Sequence, residues 1–197
     1  MHRKTPALVL LTMVLVLSGC GINRLPALDE QVKAAWSEVL NQYQRRTDLI
    51  PNLVEAVKGY AKQEQQVLTK VIEARAKATQ TQVQLPSDVL SNPAAFHQFE
   101  ENQAALTGAL GRLLVTVERY PNLKSDQNFL ALQSQLEGTE NRIAVARRDY
   151  INAVQEYNTA LRTVPMRWTA ALFYPNLKLH ETFTISEQAQ HVPQVRF

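Results

Sequence analysis

Apolar residues return along this chain at alternating steps of three and four. Leu28, Val32, Trp36, Val39 and Tyr43 form a first row. Ile50, Leu53, Val57, Tyr60, Val67, Val71, Ala74 and Ala78 form a second, with Glu64 as a polar interruption. The third runs through Phe96, Phe99, Gln103, Leu106, Leu110, Leu113, Val117 and Tyr120. The fourth and longest runs through Phe129, Leu132, Leu136, Thr139, Ile143, Ala146, Tyr150, Ala153, Tyr157, Ala160 and Val164. This rhythm is the contact stripe of helices packed nearly parallel or antiparallel. It predicts an all-α fold, an elongated antiparallel bundle of about four long helices with an extended C-terminal tail. At 1.5 Å per residue the fourth helix extends for roughly 55–60 Å.

Turn and capping residues divide the rows. Asp48 suits an N-cap, with Pro51 in the first turn of the second helix, where a missing N–H costs nothing. Alternatively, Pro51 kinks a single long helix; the pattern favours a break with partial continuity. Asn92 caps a third helix beginning at Pro93, and Ser125 or Asp126 caps the fourth after a tight turn from Pro121. Pro165 closes the fourth. Tyr120-Pro121-Asn122-Leu123-Lys124 recurs as Tyr174-Pro175-Asn176-Leu177-Lys178, and Ile50-Pro51-Asn52-Leu53 shares its core. The echo reads as one structural device, in which Pro stops the preceding element, Asn turns the chain and Leu packs back. Beyond residue 165, Leu177, Leu179, Phe183 and Ile185 alternate with polar residues as an extended segment would. With no clear partner strand, this tail is expected to press its apolar residues into a groove of the bundle. Glu64 is expected at an edge or paired with a cation on a neighbouring helix.

The N-terminus changes the picture. Arg3 and Lys4 precede an apolar run from Ala7 to Leu17, too short for the about 20 residues that span a bilayer. A basic start, a short apolar stretch and small residues at a cut site read as a secretory signal. Leu17-Ser18-Gly19-Cys20 resembles a bacterial lipobox, in which the Cys thiol is acylated and becomes the new N-terminus. An ordinary cleaved signal or an uncleaved anchor, with Cys20 incidental, is the alternative. The division expected is a signal peptide over 1–19, a lipid-anchored tether over 20–27, a bundle over 28–164 and a packed tail over 165–197. Gly21, rather than Asp, follows the Cys. In a host with an outer membrane this points to that membrane, facing the periplasm.

Composition adds limits. Hydrophobic residues make up 45% and charged residues 20% of the 197, a globular balance. Arg3 and Lys4 account for most of the formal charge of +3, so a processed chain has no general drive toward nucleic acid. Cys20 is the only cysteine, so no disulfide forms within the chain. Helical bundles often hold metals, but the residues three before His97, His180 and His191 are Ala94, Leu177 and Gln188, so the Glu-x-x-His motif is absent. These histidines read as surface or loop residues. There is neither a Gly-rich phosphate loop nor a Gly-x-Ser-x-Gly elbow. Neither a cofactor nor enzymatic chemistry is expected. Arg45 and Arg46 sit where cations complement a helix C-terminus. Arg142 and Arg147 have acidic residues within reach on the same helix.

Ala35-Trp36-Ser37 and the stretch Arg45-Arg46-Thr47-Asp48-Leu49-Ile50-Pro51-Asn52-Leu53-Val54-Glu55-Ala56-Val57-Lys58-Gly59-Tyr60 closely resemble the LemA family. So do Ala74-Arg75, Glu118 to Lys124, Leu136-Glu137-Gly138-Thr139-Glu140-Asn141-Arg142-Ile143 and the closing Pro193-Gln194-Val195-Arg196-Phe197. The resemblance implies a bacterial, membrane-anchored helical bundle. Many such proteins use an N-terminal transmembrane helix; this chain looks like the lipoprotein branch. It also implies a candidate partner, a membrane protein with a TPM domain, and it supplies no reaction. Leu40-Asn41, Thr47, Gly21-Ile22-Asn23 and Ile151 depart from common family residues, which affects sites built there but not the fold.

The expectation is a membrane-anchored scaffold, held by lipid on Cys20 and binding an envelope partner through a surface around Arg45, Arg46, Asp48 and Asn52. The alternatives are direct binding to anionic lipid and, less favoured, a hydrolase.

Overall fold

Leu25, Leu28, Val32, Val39, Tyr43, Ile50, Leu53 and Val57 are buried along one face of a single helix. This helix, α1 (Arg24–Tyr60), opens a computed structural model that describes residues 23–60 and 64–184. There follow α2 (Gln65–Val83), a 3-10 turn (Val89–Ser91), α3 (Pro93–Val117), the single-turn α4 (Pro121–Lys124), α5 (Gln127–Arg162) and α6 (Met166–Phe173). The described residues contain no strand. The fold is all-α.

Pro51 does not separate two helices, contrary to the reading its flanking Asp48 suggested. α1 runs through it, and the division falls between Tyr60 and Gln65. The physical reason lies in the carbonyl that Pro51 leaves without its helical donor, that of Thr47. Arg75 of α2 reaches across and donates Nε–H to that oxygen at 2.9 Å. Thr47 is fully buried, so an unsatisfied carbonyl there would cost about 1–3 kcal/mol. This makes a prediction: Arg75→Ala destabilises the protein by about 1–2 kcal/mol, and much less in a Pro51→Ala background, where the new N–H serves Thr47. Equal losses in the two backgrounds, measured by denaturant titration, would refute the compensation.

Contacts along the helices fix their directions. Arg24 meets Glu156, Arg46 meets Glu140 and Tyr60 donates to Asp126, so α1 and α5 run antiparallel along their length. Gln82 Nε2 donates to the Leu40 carbonyl and Asn102 Nδ2 to Thr81, which orders α1, α2 and α3 as successive antiparallel neighbours. α1, α2, α3 and α5 are therefore the four long helices of an up-down-up-down bundle. At 37 and 36 residues, α1 and α5 extend about 55 Å. α2 and α3 are shorter, with 19 and 25 residues.

Helix ends follow their residues. Asn92 accepts from Ala95 N–H ahead of Pro93, and Asp126 accepts from Phe129 N–H at the start of α5. Glu64 stands just before α2 and is held by Arg119 at 2.8 Å and the Tyr120 hydroxyl at 3.1 Å. In the repeated motif, the Tyr120 carbonyl accepts from Leu123 N–H and the Tyr174 carbonyl from Leu177 N–H, at 3.0 and 3.1 Å. Both copies close this bond, but the first winds on into the helical turn α4, with Lys124 N–H also on the Tyr120 carbonyl, while the second remains a simple turn. The third, Ile50–Leu53, lies within a helix. Helical geometry also begins at Arg24, with Leu25 fully buried, so the last part of the expected 20–27 tether belongs to α1.

After α6 the chain runs back along α5. Tyr157 donates to the Lys178 carbonyl, Asn158 bonds both backbone groups of His180, and Tyr150 donates to the Glu181 carbonyl. Glu181 N–H reaches Leu90 in the 3-10 turn. Phe183 is buried, but Leu179 stays outside, and His180 turns inward instead. Strict alternation fails because Asp29 and Asn158 offer polar partners that the tail's own sequence does not reveal.

Candidate functional site

Two apolar clusters fill the bundle, and a polar layer separates them. One is built from Ile50, Leu106, Leu110, Leu136 and their neighbours, the other from Trp36, Tyr43, Phe99, Ile143 and theirs. Between Tyr43 and Ile50 stands Arg46, between Phe99 and Leu106 stands Gln103, and between Leu136 and Ile143 stand Thr139 and Glu140. Arg46 is 1% exposed. Its guanidinium donates to Gln103 Oε1 at 2.6 Å, Thr107 Oγ1 at 2.9 Å and Glu140 Oε1 at 3.0 Å, and lies 5.0 Å from the Tyr43 ring centre. Arg46 is therefore not part of the surface expected around Arg45. It packs inside because it occupies a contact position, three after Tyr43 and four before Ile50.

Arg45, Asp48 and Asn52 are exposed on α1. Their spacing of three and four places them on one face. Asp48 accepts from Gln44 Nε2 at 2.7 Å. No break in the helix accompanies them. Cys20 lies outside the described residues.

Beside Arg46 opens a cleft of about 480 Å³ lined by Tyr43, Glu100, Glu140, Arg147, Phe183 and Thr184, among others. Arg147 does not pair along its own helix. It approaches Glu100 of α3 at 4.0 Å and stacks 4.2 Å from the Phe183 ring centre. Burial pushes the Glu100 carboxyl above its ordinary range, against the Thr184 N–H bond and the charges of Arg147 and His97. Opposed charges line the cleft in near balance. Thr107 is committed to Arg46 and to the Gln103 carbonyl. His97 sits in an exposed pair with Glu101. No activated nucleophile results, and among the described residues no group of three His, Cys, Asp or Glu side chains could hold a metal. The geometry is that of an open, charge-lined cleft.

A second polar cluster lies toward the start of α1. Asp29 meets His180 Nε2 at 2.7 Å and Lys33 at 2.8 Å, and the Tyr157 ring stacks on His180 with centres 4.5 Å apart. Burial pushes the Tyr157 hydroxyl up to about 12, with Asp29 adding and Lys33 opposing, so it stays a donor to Lys178. Sequence reading placed His180 among the surface histidines; its local pattern carries no sign of Asp29, 151 positions away. Burial acts to raise the Asp29 carboxyl, but hydrogen bonds and charge from Lys33 and His180 outweigh it and hold the group below its ordinary 3.8. A depressed carboxylate contributes stability that is complete above the unfolded value and is lost as pH falls through the folded one. The stability difference between the wild type and Asp29→Asn is therefore expected to shrink on acidification below about pH 4. Urea titrations across this range measure it, and a difference that grows in acid would refute the assignment.

An antiparallel four-helix bundle with a buried polar layer and a charge-balanced cleft defines an all-α, helical-bundle class of protein. Within it, the chain belongs to the LemA family, which it matches over residues 35–197. It is 25% identical over 175 residues to the magnetosome proteins MamQ 1 and MamQ 2 of Paramagnetospirillum magneticum, covering 82% of this chain. It is also 25% identical over 158 residues to the magnetosome protein MamQ of Magnetospirillum gryphiswaldense, covering 73% of this chain. The matched stretch spans 64% of the first two proteins' length and 57% of the third's.

Proposed function

We propose that the protein is a membrane-anchored lipoprotein of the bacterial envelope that serves as a non-enzymatic scaffold. The single observation that carries this reading is the lone Cys20 behind Leu17-Ser18-Gly19, four residues ahead of a 37-residue helix. Acyl chains on Cys20 hold the protein at the bilayer with about 0.8 kcal/mol per buried CH₂, and more than one chain makes the hold stable. In a host with an outer membrane, the bundle stands on its periplasmic face. The exposed row Arg45, Asp48 and Asn52 receives a partner, and Arg46 keeps the bundle in register from within. A membrane protein with a TPM domain is the partner to seek first.

Cys20→Ser should leave the protein uncleaved or free of lipid label. Unchanged mass and unchanged palmitate labelling in that variant would end the anchor reading. Crosslinking in cells, followed by a partner inventory, tests the scaffold. The triple variant Arg45→Ala, Asp48→Ala, Asn52→Ala should lose a partner that the wild type captures. An identical inventory would remove this row from the reading.

A further inference from the structure

Four large apolar side chains left in solvent fall between residues 164 and 173. Val164, Trp168 and Leu172 follow one another at steps of four and are 57%, 68% and 74% exposed. Phe173 beside them is 53% exposed. Elsewhere Tyr60, Ile72, Val83, Val115, Leu130, Val145 and Leu179 are exposed too, but they are spread over α1, α2, α3, α5 and the tail. Scattered apolar residues need no account, but a stripe that runs from the turn at Val164 along α6 marks a surface that something covers.

What covers it follows from position and charge. Arg24, the first residue of α1, pairs with Glu156 near the end of α5 and shares a cleft with Val164, Pro165 and Met166 at the entrance to α6. Cys20 is four residues earlier, at most about 14 Å of extended chain. The stripe and the proposed lipid attachment therefore belong to the same end of the molecule. From Asn158 to His180 the chain has no Asp or Glu, and Arg162, Arg167 and Lys178 are exposed along it. A short helix with Trp, Leu and Phe on one side and cations beside them has the chemistry of the bilayer interface. There the aromatic face enters the headgroup and acyl boundary while the cations meet phosphates.

We infer that α6, with Val164 in the turn before it, is a second membrane contact, laying Val164, Trp168, Leu172 and Phe173 into the surface of an anionic phospholipid bilayer next to the lipid anchor. The inference rests on the membrane-anchor reading, and it gives that reading a geometry. One acyl-bearing tether leaves a rigid bundle free to swing. A second contact at the same end fixes the long axis of α1 and α5 relative to the bilayer and aims the opposite end away from it.

The two tryptophans supply the test, because Trp36 is 6% exposed within the core and Trp168 is open. The full chain is reconstituted into vesicles of phosphatidylethanolamine and phosphatidylglycerol carrying brominated acyl chains. The Trp168 component is taken as the difference between wild type and Trp168→Phe. Expected is a roughly twofold loss of that component, consistent with a depth of about 5–10 Å, while Trp36 emission is unchanged. Leu172→Asp combined with Phe173→Asp should abolish the quenching without changing the helical circular dichroism. Palmitate labelling of Cys20 is scored separately. Label without Trp168 quenching, with Trp168 open to aqueous iodide, overturns the α6 contact and leaves the anchor standing. Quenching without label supports the contact and removes the anchor. Trp168 shielded from both iodide and brominated lipid means that a second copy, another protein or the chain's own terminus covers the stripe, and this also overturns the inference.

Discussion

Arg46→Ala is expected to destabilise the bundle by about 3 kcal/mol, the lower end for breaking a buried ion pair. Glu140 is partly open, its side chain 38% exposed, so water recovers some of its lost charge–charge attraction. Gln103, only 3% exposed, has no such recourse. At about 2–4 °C per kcal/mol for a chain of this size, the melting temperature should fall by about 6–12 °C. Arg46→Met separates two contributions. It restores most of the volume but leaves Gln103 Oε1 and Glu140 without their donor, so it should still cost more than about 1 kcal/mol. Adding Gln103→Leu should recover part of that loss, because replacing both members of a buried polar pair is cheaper than removing one. A melting temperature for Arg46→Ala within about 1 °C of wild type would show that the polar layer contributes nothing.

That layer also shows what the sequence discloses and what it hides. The three-four rhythm was sufficient for an all-α bundle of four long helices, since Leu110, Leu113, Leu136, Tyr150 and Tyr157 are buried where their spacing put them. It was broken at Arg46 because two adjacent arginines before Asp48 and Pro51 look like a helix end. The steps from Val39 through Tyr43, Arg46, Ile50 and Leu53 to Val57 are four, three, four, three and four, and that unbroken count was the available signal for one helix. Reading hydrophobicity alone excluded the one charged member. Other features were out of reach because they are contacts between distant residues. The carbonyl of Thr47 is satisfied by Arg75, 28 positions on, and Asp29 by His180. No local pattern encodes which helix will lie beside Pro51. The stripe before and along α6 is hidden differently: the three-four spacing continues the fourth apolar row to Val164, yet Val164 lies past the end of α5 and is exposed.

The largest single loss is expected from Trp36→Ala, at about 4–5 kcal/mol, the upper part of the range for emptying a buried aromatic site. Trp36 is where four separate chain segments meet. Its ring lies 5.5 Å from Phe96 and 5.1 Å from Phe99 on α3, 5.3 Å from Tyr150 on α5 and 6.1 Å from Phe183 in the tail, centre to centre. Each such pair adds about 0.5–1.5 kcal/mol beyond the area it buries. Three of these four rings, Phe96, Phe99 and Tyr150, are held on long helices, so the walls cannot readily collapse to fill the void, and most of the cavity term is felt. Phe183→Ala removes only the tail's contribution, and its site lies at the edge beside Arg147. Its cost should be about half as large, near 2 kcal/mol. The pair should be less than additive, because once Trp36 is gone Phe183 has lost one of its principal contacts. Near-ultraviolet circular dichroism should lose most of its aromatic signal in Trp36→Ala while the far-ultraviolet helix signal at low temperature persists. If Trp36→Ala costs no more than Phe183→Ala, the tail is the organising element, and the cluster closes from outside rather than around the α1 tryptophan.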